Sequence, residues 1–304
     1  MVVTHGSLQS ARGRCALTIG NFDGVHRGHR ALIDRVSAKA RELRLASCLL
    51  TFEPHPREFF AGAAAPARLT RLRDKLELIA AMGVKRVHVA RFDARFAALS
   101  ATAFIEDVLL RGLGMRYLLV GRDFRFGAKR SGDFSTLEQA SIDHGFRLEA
   151  MPDVELEGMR VSSSAVRAAL ARGDFPEAER LLGHPYTISG RVVHGAKLGR
   201  DLGFPTANIV LRRPPPLAGI FAVEVDRFGP GVASVGQRPT VNPVPVPLLE
   251  VHLFECAREL YGEHLRVRFL RKLRDEAKFE GLEELRDAIA RDARAARDYF
   301  AKHG

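Results

Sequence analysis

The period of the apolar positions changes along this chain and divides it in two. Ala16-Leu17-Thr18-Ile19 is an apolar run of the length of a buried strand, and Leu32, Val36, Ala40 and Leu43 then recur at helical spacing. Ala46 to Phe52, Arg86 to Phe92 and Tyr117 to Gly121 read as further strands separated by helical segments. Alternation of this kind, from residue 15 to about 172, predicts a doubly wound parallel sheet covered by helices. Ligands of such sheets collect at the carboxyl ends of strands, where Asn21, Glu53 and Arg122 fall.

After a short helix, Pro176 to Leu182, the runs become shorter and rich in Val, Gly and Pro, which predicts a domain boundary between residues 183 and 184. Tyr186 to Val193, Gly219 to Asp226, Val232 to Val235, Leu248 to Glu255 and His264 to Leu270 read as strands with turn signals between them. That pattern predicts an antiparallel barrel. The last segment is helical, with Leu285, Ile289 and Phe300 on an apolar stripe that packs on the barrel.

Composition bounds the function. A chain of 304 residues, 46% hydrophobic and 27% charged, has the balance of two globular domains and not of disorder. The N-terminus lacks a basic stretch followed by an apolar core, and no apolar run of about 18 residues occurs, so no membrane partner and a cytoplasmic location are expected. Cys15, Cys48 and Cys256 are odd in number and widely separated, which argues for buried small hydrophobes over disulfides or a redox site. The net charge of +11 favours anionic ligands. Nucleic acid is the rival explanation, but the basic residues alternate with acidic ones, as in Arg71-Leu72-Arg73-Asp74-Lys75-Leu76-Glu77, the pattern of a solvated helix face. No RNA-recognition or helix-turn-helix signature is present.

Gly20-Asn21-Phe22-Asp23-Gly24-Val25-His26-Arg27-Gly28-His29 sits where an apolar strand turns into a helix. Free N–H groups and the helix dipole favour an anion there, the glycines permit close backbone approach, and imidazoles add donors that follow developing charge. A zinc site lacks an obvious third ligand nearby. The run resembles the His-x-Gly-His nucleotidyltransferases, and bacterial FAD synthetases in particular.

That resemblance gives other segments roles. Thr51-Phe52-Glu53-Pro54-His55-Pro56, with Phe59 and Phe60, resembles the segment that helps hold the flavin ring, Phe60 being the matching position. In Val120-Gly121-Arg122-Asp123-Phe124-Arg125-Phe126-Gly127 it puts Asp123 near the nucleotide and Phe126 near the flavin. Val161-Ser162-Ser163-Ser164-Ala165-Val166-Arg167 is similar to the family's Ile-Ser-Ser-Thr-x-Ile-Arg motif, with hydroxyl and apolar character kept. Serines before a helix are N-caps by pattern alone; the resemblance makes them, with Arg167, a triphosphate cradle. Gly20, Asn21, Phe22 and Gly24 join Asp123, Ser162, Ser163 and Ser164 as nucleotide-binding candidates, with His26, His29 and Arg167 as the catalytic ones.

The run from Gly190 to Asn208 carries Gly195, Lys197, Gly199 and Gly203 and ends in Pro205-Thr206-Ala207-Asn208; it is no Walker motif, and on pattern alone it is a glycine-rich turn. It is similar to the riboflavin kinase signature, which implies nucleotide binding by Gly195, Lys197, Gly199 and Thr206, and magnesium at Thr206 and Asn208. Glu250, on an apolar strand, takes the position of the kinase's catalytic base. Val235-Gly236-Gln237-Arg238-Pro239-Thr240 also matches, with Arg238 as a flavin-binding candidate, while Val241 to Pro247 departs from the family's usual sequence and its prolines stiffen the loop.

The resemblance runs from about residue 15 to 300. It implies a nucleotidyltransferase domain over 1–183 that makes FAD and pyrophosphate from FMN and ATP. It implies a kinase domain over 184–304, a six-stranded antiparallel barrel with a C-terminal helix, that makes FMN from riboflavin and ATP. Magnesium is the implied cofactor, ATP a co-substrate, FMN and FAD the products, and the state a monomer or weak homo-oligomer without nucleic acid. Two alternatives stay open: a single live activity, with the kinase impaired by the proline-rich loop, or a basic nucleic-acid-binding protein on the same scaffold.

Overall fold

The structure is a computed structural model that describes residues 1–6, 13–195, 199, 202–238, 246–256 and 258–303, without the side chains of 237, 238 and 246. Its contacts form two units, Met1–Pro66 with Arg71–Ser162, and Ala67–Thr70 with Ser163–Gly304.

In the first unit β1 (Val2–His5), β2 (Cys15–Ile19), β3 (Ala46–Glu53), β4 (Arg86–Arg91), β5 (Met115–Gly121) and β6 (Arg147–Met151) form one sheet in the order β1-β4-β3-β2-β5-β6. Every pairing is parallel. The strands are apolar on both faces, so each face must be covered. Cys15, Leu17 and Ile19 pack with Phe104, Leu109 and Leu137 on one side, and Ala16 with Ile33, Val36 and Ile79 on the other. From β2 the chain builds outward through β3 and β4 one way and through β5 and β6 the other. The switch point therefore lies between β2 and β5, the strands that release Gly20 and Arg122. A short hairpin, β7 (Glu155–Leu156) and β8 (Met159–Arg160), completes this unit.

In the second unit β9 (Thr187–Val193), β10 (Ala207–Val210), β11 (Gly219–Val225), β12 (Gly229–Arg238), β13 (Val246–Leu253) and β14 (His264–Arg274) close an antiparallel barrel in the order β10-β13-β12-β11-β14-β9. Helix Leu282–His303 lays Ala293 and Ala296 on Ile220, Ala222 and Val232. It is tied to β14 by Arg274, whose Nε and Nη2 donate to the two carboxylate oxygens of Asp292 at 2.8 and 2.6 Å. Helices Ser163–Arg172 and Phe175–Leu182 belong to this unit, with Phe175 stacked on Phe269 at 6.1 Å. The division by contact thus falls ahead of the change in strand type at residue 183.

Three expectations need correction. The segment 71–77 is not wholly a solvated face, because Asp74 and Lys75 turn inward from helix Leu72–Ala81 and are 8% and 4% exposed. Cys256 is only half-buried, whereas Cys15 and Cys48 are buried strand residues; all three are free thiols. Ala207 and Asn208 are strand, not loop, because β10 pairs with both β9 and β13 and so gains two ladders of hydrogen bonds.

Candidate active sites

At the end of β2, Gly20 donates its N–H to Leu50 O at 3.1 Å, and the turn that follows leads into helix Arg27–Glu42. Phe22 and Val25 adopt left-handed φ values of 47° and 42°. Such backbone costs about 1–3 kcal/mol per residue and persists where packing dictates it; both side chains are fully buried. The strain sets His26 at the helix cap, where its Nδ1 accepts the N–H of His29 at 3.3 Å. A ring nitrogen that accepts leaves the other to carry the proton, so Nε2 of His26 is a donor.

His29 stacks on His26, with ring centroids 3.6 Å apart and 19° between planes, and Phe22 packs against it at 5.3 Å. Burial, then the neighbouring His26 and Lys75, hold its pKa well below 6.5. Its Nδ1, Asn21 Oδ1 and Thr18 Oγ1 are buried without a hydrogen-bond partner among the described residues. Unpartnered buried groups cost about 1–3 kcal/mol each. Thr18 and Asn21 stand at the carboxyl end of β2 and His29 in the helix that follows it.

The other candidates of this unit are spread. Asp123, just past β5, is exposed and bonded to Arg160 Nη2 at 2.9 Å, and Arg160 also reaches Asp153 at 3.0 Å. Phe60 is 71% exposed and touches Phe59 and Phe92 at 5.1 and 5.8 Å. Phe126 is only 6% exposed, covered by Phe104 and Phe124 at 5.4 and 5.5 Å, so of the two flavin candidates Phe60 offers the open face. Phe22 is core beneath the histidines, while Gly20, Asn21 and Gly24 form the turn itself. Ser162 ends this unit; Ser163 and Ser164, which open helix Ser163–Arg172, belong to the second unit with Arg167, whose Nε donates to Ala67 O at 2.6 Å.

In the barrel, Asn208 of β10 and Ser234 of β12 stand in register on either side of Glu250 of β13. Directly paired residues share a face, so the three form a row across three strands. Thr206, Ser234, Glu250 and His252 line a cavity of about 230 Å³ whose apolar walls include Leu202, Phe204, Ile220, Leu285 and Ile289. Gly195 is bare where Asn208 needs room, since a Cβ there would lie 2.6 Å from Asn208 Nδ2; that amide donates to Thr206 O at 3.2 Å. Gly199 O accepts the N–H of Phe204 at 2.7 Å. Thr206, Asn208 and Glu250 are oxygen donors that suit a hard cation. Among the described residues no three His, Cys, Asp or Glu cluster as a metal site. Lys197 and Pro243 to Pro245 lie outside the described residues, as does the side chain of Arg238, whose backbone pairs with Val246.

The FAD synthetase family pattern matches residues 8–165 and the riboflavin kinase pattern residues 182–300. The bifunctional riboflavin kinase/FMN adenylyltransferase of Escherichia coli strain K12 is 50% identical over 301 residues, 97% of this chain and 96% of that protein. The chain belongs to the bifunctional riboflavin kinase/FMN adenylyltransferase family. The Pseudomonas fluorescens member is 51% identical over 297 residues, 96% of this chain and 95% of its own. As a bifunctional riboflavin kinase/FMN adenylyltransferase the chain phosphorylates riboflavin to FMN and adenylylates FMN to FAD, with ATP as substrate in both steps. A crystal structure of a macrolide-efflux protein from Streptococcus pneumoniae shares the fold, with a TM-score of 0.79 and 27% identity over 98% of this chain and 99% of that one. No helix among the described residues is long and apolar enough to cross a membrane.

Within this riboflavin kinase/FMN adenylyltransferase, sequence reading missed three groups beside the sites. Lys75 brings a buried cation into electrostatic reach of His29, hidden in a run of alternating charge. Ser234 became visible only when β12 fell into register with Glu250. His252 Nδ1 contacts Pro205 O at 2.9 Å; a carbonyl only accepts, so this nitrogen carries the proton and pins the Pro-Thr-Ala-Asn segment. Its spacing of two from Glu250 was the available signal.

Proposed function

We propose that the adenylyl transfer of this family is carried by the His26–His29 turn and the phosphoryl transfer by Glu250, with the activities divided between residues 1–183 and 184–304. The supporting observation is that the imidazole pair and the Asn208–Glu250–Ser234 row belong to separate units of the chain.

In adenylyl transfer the FMN phosphate attacks the α-phosphate of ATP and pyrophosphate leaves. The nucleophile is already ionised, so the residues align two anions and neutralise charge and no strong base is needed. His26, His29 and Arg167 donate to the phosphates, Ser162, Ser163 and Ser164 with the Gly20-to-Gly24 turn and Asp123 hold the nucleotide, and Phe60 with Phe126 serve the flavin ring. In phosphoryl transfer Glu250 accepts the proton of the ribityl 5′-hydroxyl as that oxygen attacks the γ-phosphate in line. Thr206 and Asn208 hold magnesium, which neutralises phosphate charge, and Gly195, Lys197 and Gly199 cradle the nucleotide. Arg238 is the flavin-binding candidate of the kinase half. The substrates are small molecules, without nucleic acid, and the chain acts as a monomer or weak homo-oligomer.

Product-specific assays test this division. His29→Ala should sharply lower pyrophosphate release from FMN plus ATP and spare ADP release from riboflavin plus ATP, and Glu250→Gln should do the reverse; loss of both products in either variant would refute it.

A further inference from the structure

The carboxylates around the end of β14 differ in one respect. Asp275 is paired with Lys272 Nζ at 2.6 Å, and Asp292 takes both arms of Arg274. Glu276 has neither a hydrogen bond nor an ion pair among the described residues. Glu276 is an exposed residue whose carboxylate lies against Gly236 of β12, where a Cβ would overlap it. Gly236 is paired with Leu248, two residues from Glu250 on the same face of β13, and Glu276, Gly236 and Glu250 line the same cavity. Burial raises the pKa of Glu276, the Arg274 cation opposes this, and Glu250 adds to it.

A carboxylate at the open side of a cavity can exchange water for donors on a bound ligand. Arg274, the cation that acts on Glu276, is engaged by Asp292 and by Asp275 O at 2.9 Å, so neutral hydroxyl donors fit best. The cavity's apolar walls, with Leu202, Phe204, Phe279, Leu285 and Ile289, suit a flat ring. A ligand that is ring at one end and polyol at the other matches both parts. We propose that Glu276 accepts hydrogen bonds from the inner hydroxyls of the flavin's ribityl chain and thereby makes the kinase select for that chain. The proposal rests on the phosphoryl-transfer reading of the Glu250 cavity.

The test uses the full chain, with kcat/KM for ADP formation measured on riboflavin and on a flavin bearing a 5-hydroxypentyl chain, which keeps the terminal hydroxyl and lacks the 2′, 3′ and 4′ hydroxyls. Wild type should prefer riboflavin by about ten- to a hundredfold, the scale of a charge-assisted hydrogen bond. Glu276→Ala should lose that factor on riboflavin and be unchanged on the analogue, with Glu276→Asp recovering part of it. Far-ultraviolet circular dichroism and the urea transition of the same preparations check folding of the barrel. Glu276→Gln, which keeps the shape, serves if the alanine variant is unstable, and should lose several-fold on riboflavin alone. Equal losses on both flavins, or no preference in wild type, would overturn the proposal. A wild type that forms no ADP from riboflavin would instead overturn the reading beneath it.

Discussion

His26 and His29 stack at 3.6 Å, and His26 Nδ1 also caps the helix that carries His29. The two histidines are therefore not equivalent. His29→Ala should lower FMN adenylylation about 10²–10³-fold, as removal of an oxyanion-type donor does, without loss of the cap. His26→Ala should do so and also cost about 1 kcal/mol of stability through the cap. Steady-state pyrophosphate release and urea unfolding of both variants separate the two effects.

Stability should fall as pH drops below 6.5. Burial, with His26 and Lys75 nearby, keeps the folded-state pKa of His29 well below that value, so at lower pH the unfolded chain takes up a proton that the folded chain refuses. One such proton contributes at most about 1.4 kcal/mol per pH unit. Unfolding midpoints at pH 7, 6 and 5 should decline, and His29→Asn should flatten part of the decline. His88 leaves a remainder of the same sign: burial lowers its pKa, with the Gly6 carbonyl opposing.

Gly28→Ala should separate stability from catalysis. Its backbone is helical, so alanine gains up to about 1 kcal/mol of helix propensity. The added Cβ would lie 3.2 Å from the His26 ring, which must then shift by a few tenths of an ångström. Adenylylation should drop about tenfold while the melting temperature holds or rises; unchanged activity would show that the ring position does not matter.

Asp292 anchors the C-terminal helix. Asp292→Ala leaves Arg274 without its bidentate partner beside the kinase cavity, and should cost about 2–3 kcal/mol in the barrel's urea transition and reduce riboflavin phosphorylation. FMN adenylylation should persist below that transition.

Both folds were legible where the apolar period was clean. The two-faced strands of the parallel sheet and the glycine-histidine turn at its switch point carried strong local signals, as in Cys15–Ile19 followed by Gly20 to His29. What the sequence hid depends on register and burial. β10 lay inside a glycine-rich run because four residues with one proline before them carry no period. Ser234 and Glu276 became partners of the Glu250 site through strand pairing and chain return, separations that no local window spans. Lys75 was masked because a charged helix looks the same whichever residue turns inward.

The most direct measurement follows FMN and FAD by chromatography after incubation with riboflavin, ATP and magnesium, for wild type, His29→Ala and Glu250→Ala. FAD from wild type, FMN alone from His29→Ala and no flavin product from Glu250→Ala are the expected results. FAD formed by His29→Ala, or FMN formed by Glu250→Ala, at the wild-type rate would contradict the assignment of the two reactions to these two residues.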